Sequence, residues 1–167
     1  LRVHVARDPS PDAAAAPGNI YALADRQPGS FEATVAVRPR RSGEQAGLAA
    51  FAGDASWVKL VVEGAGDGGG VFLAFAEQRD GEPFLRAKLP LPQFDGEVAL
   101  RLVAQPASGT ALAFWRIGAG DWAAVTRGVG WLEPGELEPG QERGRLLPGD
   151  PRGEMVVAEC TLPDGWR

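Results

Sequence analysis

Apolar residues in this chain alternate with polar ones in short runs, and glycine or proline ends each run before a helix could complete its turns. "SFEATVAVRP" (30–39) places Phe31, Ala33, Val35 and Val37 on one face and Glu32, Thr34 and Ala36 on the other. "EVALRLVAQ" (97–105) repeats the pattern, with Val98, Leu100, Leu102 and Ala104 set against Glu97, Ala99, Arg101 and Val103. "QAGLAAFAG" (45–53) and "SWVKLVVEG" (56–64) are strands parted by the turn-prone "GDAS". "VFLAFAEQ" (71–78) is apolar on both faces, as a strand covered on both sides requires. No segment of about ten residues has helical periodicity.

The punctuation between these runs is equally informative. "GAGDGGG" (64–70) reads as a hairpin loop, and "RDGE" (79–82) as a tight hairpin turn centred on Asp-Gly. "PFLRAKLPLP" (83–92) is bounded by prolines, which cannot donate to a ladder, so it belongs at a sheet edge. "TALAFWRIG" (110–118) and "DWAAVTRG" (121–128) read as a hairpin, and "EMVVAECTL" (154–162) as a closing strand. "LRVHV" (1–5) and "NIYALADR" (19–26) add strand patterns around a proline-rich loop. A Pro/Gly/Glu-rich loop over 128–153 carries "LEPG" twice, too short a unit to be a structural repeat. About ten short strands divided by turn signals predict an all-β, antiparallel two-sheet β-sandwich, a single domain over residues 1–167.

Composition removes several functions. A formal charge of −5 argues against nucleic acid, which needs a clustered basic surface. No apolar run approaches the roughly 20 residues of a spanning helix, so no membrane partner is expected. The single Cys160 forbids an internal disulfide, and the single His4, in an alternating strand pattern, forbids a multi-histidine metal site. A start at Leu1 rather than methionine implies an upstream piece, removed or part of a larger protein; cytoplasmic and exported locations both stay open.

"GSFEATVAVRP", "EQAGLAAFAGDASWVKLVVEG", "EVALRLVA" and "ALAFWRIGAGDWAAV" follow one another in an order that resembles the concanavalin-A-like lectin/glucanase jelly rolls. The resemblance is to the non-catalytic bacterial type, appended to family-43 glycosidases and sugar dehydrogenases or standing alone. It spans roughly residues 19 to 126 plus the closing strand. It implies a concanavalin-A-like fold and a module that binds carbohydrate, or supports a carbohydrate-active enzyme, through one concave sheet face. The chain departs from the pattern at "RIGAGDW", where Arg116 and Ile117 stand in place of small polar residues.

On that reading Trp57 is a stacking platform for the apolar face of a sugar ring, and Lys59, Glu63, Glu32, Gln45 and Arg101 bond hydroxyl groups. Trp57, Lys59 and Glu63 share one face of their strand, and Glu32 and Gln45 are expected on neighbouring strands of the same sheet. Trp131, in "VGWLEPG", is expected at the rim. The plainer reading lays Trp57 on the stems of Lys and Arg over a solvated face. Trp115 and Trp122, among apolar neighbours, are expected in the core, and Cys160 is expected as a small buried hydrophobe.

A protein-interaction or purely structural domain is the second reading. A glycoside hydrolase is the third. It needs two carboxylates about 5–9.5 Å apart, and with no such pair on one strand it would have to form across strands, as Glu32 with Glu63. No cofactor is implied; a structural calcium ion suits such jelly rolls, but "EGAGDGGG" offers too few carboxylates for one.

Overall fold

The computed structural model describes residues 29–53, 55–66, 70–91, 94–105, 107–128 and 155–163. The predicted strands at 1–5 and 19–26, most of the 128–153 loop, His4, Trp131 and Trp166 lie outside them. Eleven strands occur among the described residues: β1 (Ser30–Ala36), β2 (Gln45–Gly53), β3 (Ser56–Gly64), β4 (Val71–Arg79), β5 (Glu82–Pro90), β6 (Glu97–Gln105), β7 (Thr110–Arg116), β8 (Ala123–Ala124), β9 (Thr126–Gly128), β10 (Met155–Val157) and β11 (Glu159–Thr161).

Two antiparallel sheets make the sandwich. One runs β2-β3-β4-β5; the other runs β1-β6-β7-β11, with β8 added alongside β7. β9 and β10 form a separate two-stranded ribbon. The proline-bounded β5 does sit at an edge, where its missing amide donors disrupt no second neighbour.

The alternation read in the sequence becomes the core. Val58, Leu60 and Val62 of β3 and Leu73 and Phe75 of β4 face Val98, Leu100 and Leu102 of β6 and Ala111 and Ala113 of β7 in one cluster. Leu60, Leu73, Phe75 and Leu100 are completely buried, each worth about 1.5–3 kcal/mol in transfer free energy. Trp115 packs against this cluster as expected, although its indole Nε1 is buried without a hydrogen-bond partner. Cys160 lies in the same core.

Local chemistry fixes the register. Asp80 and Gly81 adopt φ of 52° and 82°, the doubly left-handed backbone that a two-residue hairpin turn needs. At Gly47 a Cβ would stand 2.1 Å from the Leu60 carbonyl oxygen, so only glycine lets β2 approach β3 this closely. That accounts for the glycine in "QAGL". Between β4 and β5 the register slips after Phe75: Phe75 opposes Ala87 while Ala76 opposes Leu85. Arg86 is the extra residue of this bulge.

Two predicted elements divide in the structure. "DWAAVTRG" splits into β8, paired with β7, and β9, paired with β10. "EMVVAECTL" likewise splits into β10 and β11. The joints are Val125 and Ala158, both buried, with the Val125 amide donating to the Ala113 carbonyl and the Ala158 amide to the Val125 carbonyl. Anchored through these residues, each segment changes partner rather than continuing straight.

Candidate functional site

The outward face of β3 carries Trp57, Lys59, Val61 and Glu63, because Val58, Leu60 and Val62 are committed to the core. β2 brings Gln45 directly opposite Glu63 and Phe51 opposite Trp57. Lys59 Nζ donates to Gln45 Oε1 at 2.8 Å and stands 5.1 Å from the centroid of the Trp57 ring. Burial holds the Lys59 pKa below the ordinary lysine value, while the Glu63 carboxylate acts the other way. Four of the predicted residues, Trp57, Lys59, Glu63 and Gln45, therefore do share one outer face.

The same face has an apolar centre. Val61, Phe72 and Ala74 form a second cluster, with Leu85 packed against it, on the opposite side of the sheet from the main core. These side chains are nevertheless buried; Phe72 is 8% exposed, with the Lys88 ammonium 4.1 Å from its ring centroid.

Glu32 and Arg101 are elsewhere, which corrects the expectation that Glu32 and Gln45 share a sheet. β1 pairs with β6, so Glu32 stands opposite Arg101 in the five-stranded sheet. Arg101 Nε donates to Glu32 Oε1 at 2.7 Å, and its Nη2 lies 2.7 Å from the same oxygen. Alternation within a strand assigns a residue to a face and leaves its partner strand open; here the partner is about seventy residues away in sequence. Trp131 lies outside the described residues.

The carboxylate pair Glu32 and Glu63 is not formed. Both point outward, but from opposite sheets of the sandwich, and packed sheets are already about 10 Å apart. Directly across from Glu63 stand Gln45 and Phe72, neither of them an acid. Among the described residues no three His, Cys, Asp or Glu side chains converge as metal ligands.

Trp122 is a further correction. It lies on the outer face of the five-stranded sheet, with the Arg101 and Arg116 guanidinium carbons 4.0 and 4.6 Å from its ring centroid. Its alanine neighbours suggested a core strand. β8 is only two residues long, however, and pairs Ala123 with the inward Trp115, which turns the adjacent Trp122 outward.

One residue escaped the sequence reading. Glu77 continues the inward set Leu73, Phe75 and is completely buried. Arg86 Nη2 lies 2.5 Å and Arg79 Nε 3.0 Å from its Oε1, while the Thr161 backbone amide donates to its Oε2. Phe84, opposite Glu77, lies under both guanidinium groups. The signal was available, since an acid stood in register with an inward apolar row, but nothing in the sequence named its partners. Cys160, next to Thr161, has its thiol pKa pushed well up by burial first and by the Glu77 carboxylate second.

Comparison with known proteins fits this architecture. The solved structure of a mutant of the GH43 protein BlXynB from Bacillus licheniformis superposes with a TM-score of 0.51 over 81% of this chain, at 15% identity. That likeness is one of fold, and the chain spans 24% of the length of the BlXynB chain. No curated protein matches the sequence. Residues 1–132 match the GH43_C2 family, described as the beta-xylosidase C-terminal concanavalin A-like domain. On the strength of that match, which takes in most of the chain, this protein belongs to the family of beta-xylosidase C-terminal concanavalin A-like domains.

Proposed function

We propose that the chain is a non-catalytic module associated with a carbohydrate-active enzyme, and that it binds carbohydrate on the outer face of the four-stranded sheet. The observation that carries this reading is the grouping of Trp57, Lys59, Gln45 and Glu63 on one face, with the Lys59 ammonium already bonded beside the indole. An indole offers an apolar platform to the C–H face of a sugar ring. The flanking amide, ammonium and carboxylate offer donors and acceptors to its hydroxyls. A protein-docking patch would need a few hundred Å² of contiguous exposed apolar surface, whereas Val61, Phe72 and Ala74 at the centre of this face are buried. The carbohydrate, together with a fused or associated enzyme domain, is the expected partner.

Intrinsic tryptophan fluorescence titrated with soluble xylan-type and other neutral oligosaccharides tests the reading. Binding should shift the emission, and Trp57→Ala should weaken it by roughly tenfold, the equivalent of about 1.4 kcal/mol. A folded protein that responds to no saccharide, or a Trp57→Ala variant that binds as well as the wild type, removes the role assigned to this face.

A further inference from the structure

We infer that the outer face of the five-stranded sheet carries a second binding site, in which Arg116, with Arg101 and Trp122, receives a sugar-borne carboxylate. The sugar part of this inference rests on the carbohydrate reading above; the carboxylate part does not.

The site follows from strand register. Across the outer face, Thr34 of β1, Ala99 of β6 and Arg116 of β7 lie side by side in one row, and Glu32, Arg101 and Phe114 in the next. Arg101 and Arg116 are thus diagonal neighbours on adjacent strands, about 7–8 Å apart at the backbone. Both reach the same indole, Trp122. Ala99, which stands between Thr34 and Arg116 in its row, has no side chain beyond its Cβ.

The two arginines differ in what they already hold. Arg101 is neutralised by Glu32 through both Nε and Nη2. Arg116 has no carboxylate partner among the described residues, and its Nε is buried without a hydrogen-bond acceptor. A guanidinium lying over an aromatic ring keeps its N–H groups in its own plane, directed sideways, where a planar two-oxygen acceptor fits them. A buried donor left unmatched costs about 1–3 kcal/mol, and a swing of the Arg116 side chain that brings its Nε to a carboxylate would relieve it. Within the Arg101–Trp122–Arg116 cluster the one bonded glutamate belongs to Arg101, which leaves the Arg116 fork as the cation without a paired carboxylate. On the other diagonal from Arg116 stands Glu97, which with Asp95 and Arg38 lines an adjoining acidic depression, so the positive charge is local to the Arg116 fork.

A uronic acid is the saccharide unit that presents such a group. Sodium D-glucuronate, D-glucose and sodium acetate, each titrated into the full chain at low ionic strength, test the inference, with the Arg116 Nε–H and Trp122 indole N–H followed by NMR. Glucuronate should move both signals saturably, glucose should not, and Arg116→Lys should lower the affinity by about tenfold because a lysine cannot offer the fork. Signals that respond equally to glucose and glucuronate, or that shift unchanged in Arg116→Lys, overturn the site. Acetate binding as tightly as glucuronate keeps the carboxylate site and overturns the sugar source. Should the Trp57 face ignore every neutral oligosaccharide while glucuronate still binds here, the reading of that face fails and this one stands.

Discussion

Glu77 and Glu32 each bond arginine, yet one is enclosed between the sheets and the other lies on the surface. Glu77 is 0% exposed and holds Arg79, Arg86 and the Thr161 amide together. Glu32 has a side chain 47% exposed and, among the described residues, holds Arg101 alone. In the interior, a carboxylate deprived of water depends on every donor around it, and the donors depend on it. At the surface, water replaces a lost partner at little cost. The same chemical pair thus fastens the fold in one place and leaves a side chain free to be rearranged by a ligand in the other.

The largest test of this contrast is Glu77→Ala. Removing the shared acceptor takes a buried carboxylate from Arg86 and Arg79 and leaves the Thr161 amide without it, and the expected loss is about 3–5 kcal/mol, read as a lowered urea midpoint at unchanged slope. Glu32→Ala should cost less than about 1 kcal/mol in the same titration, and a double-mutant cycle with Arg101→Ala should return a coupling within that limit. Equal losses for the two glutamates would abolish the distinction. Cys160 sharpens it kinetically: its buried, pKa-raised thiol should react with a thiol reagent only at the rate at which the sandwich opens, and Glu77→Ala should accelerate that reaction. The smallest effect concerns Lys59. Burial lowers its folded pKa below that of the unfolded chain, so its charge opposes folding below the folded pKa, and the penalty fades as pH rises toward the ordinary lysine value. Thermal melts should therefore show the wild type gaining on Lys59→Met between neutral and strongly alkaline pH.

Much of the sandwich was legible because alternation and turn chemistry are local. β2, β3 and β6 occupy the runs 45–53, 56–64 and 97–105 read directly from the residues, and the Asp-Gly hairpin falls at Asp80 and Gly81. The face of Trp57, Lys59 and Glu63 follows from the same period of two. Partnership between strands is a long-range choice, and there the reading stopped. Nothing in "SFEATVAV" specifies β6 rather than β2 as its neighbour, so local alternation cannot separate Glu32 and Arg101 from the sheet of Gln45. Trp122 eluded a local reading for a related reason: the ladder to β7, rather than its alanine neighbours, decides which way it turns. Glu77 was visible as an acid in an apolar row, but Arg86 reaches it from a bulge and its amide donor comes from the opposite sheet.

That last donor has an evolutionary corollary. The group that ties β11 to β4 belongs to the main chain, so position 161 can exchange its side chain freely while the tie persists. An alanine scan would pass over the position in silence. Proline is the one residue without the hydrogen to give, and its appearance there would unfasten the closing strand as surely as the loss of the acid itself.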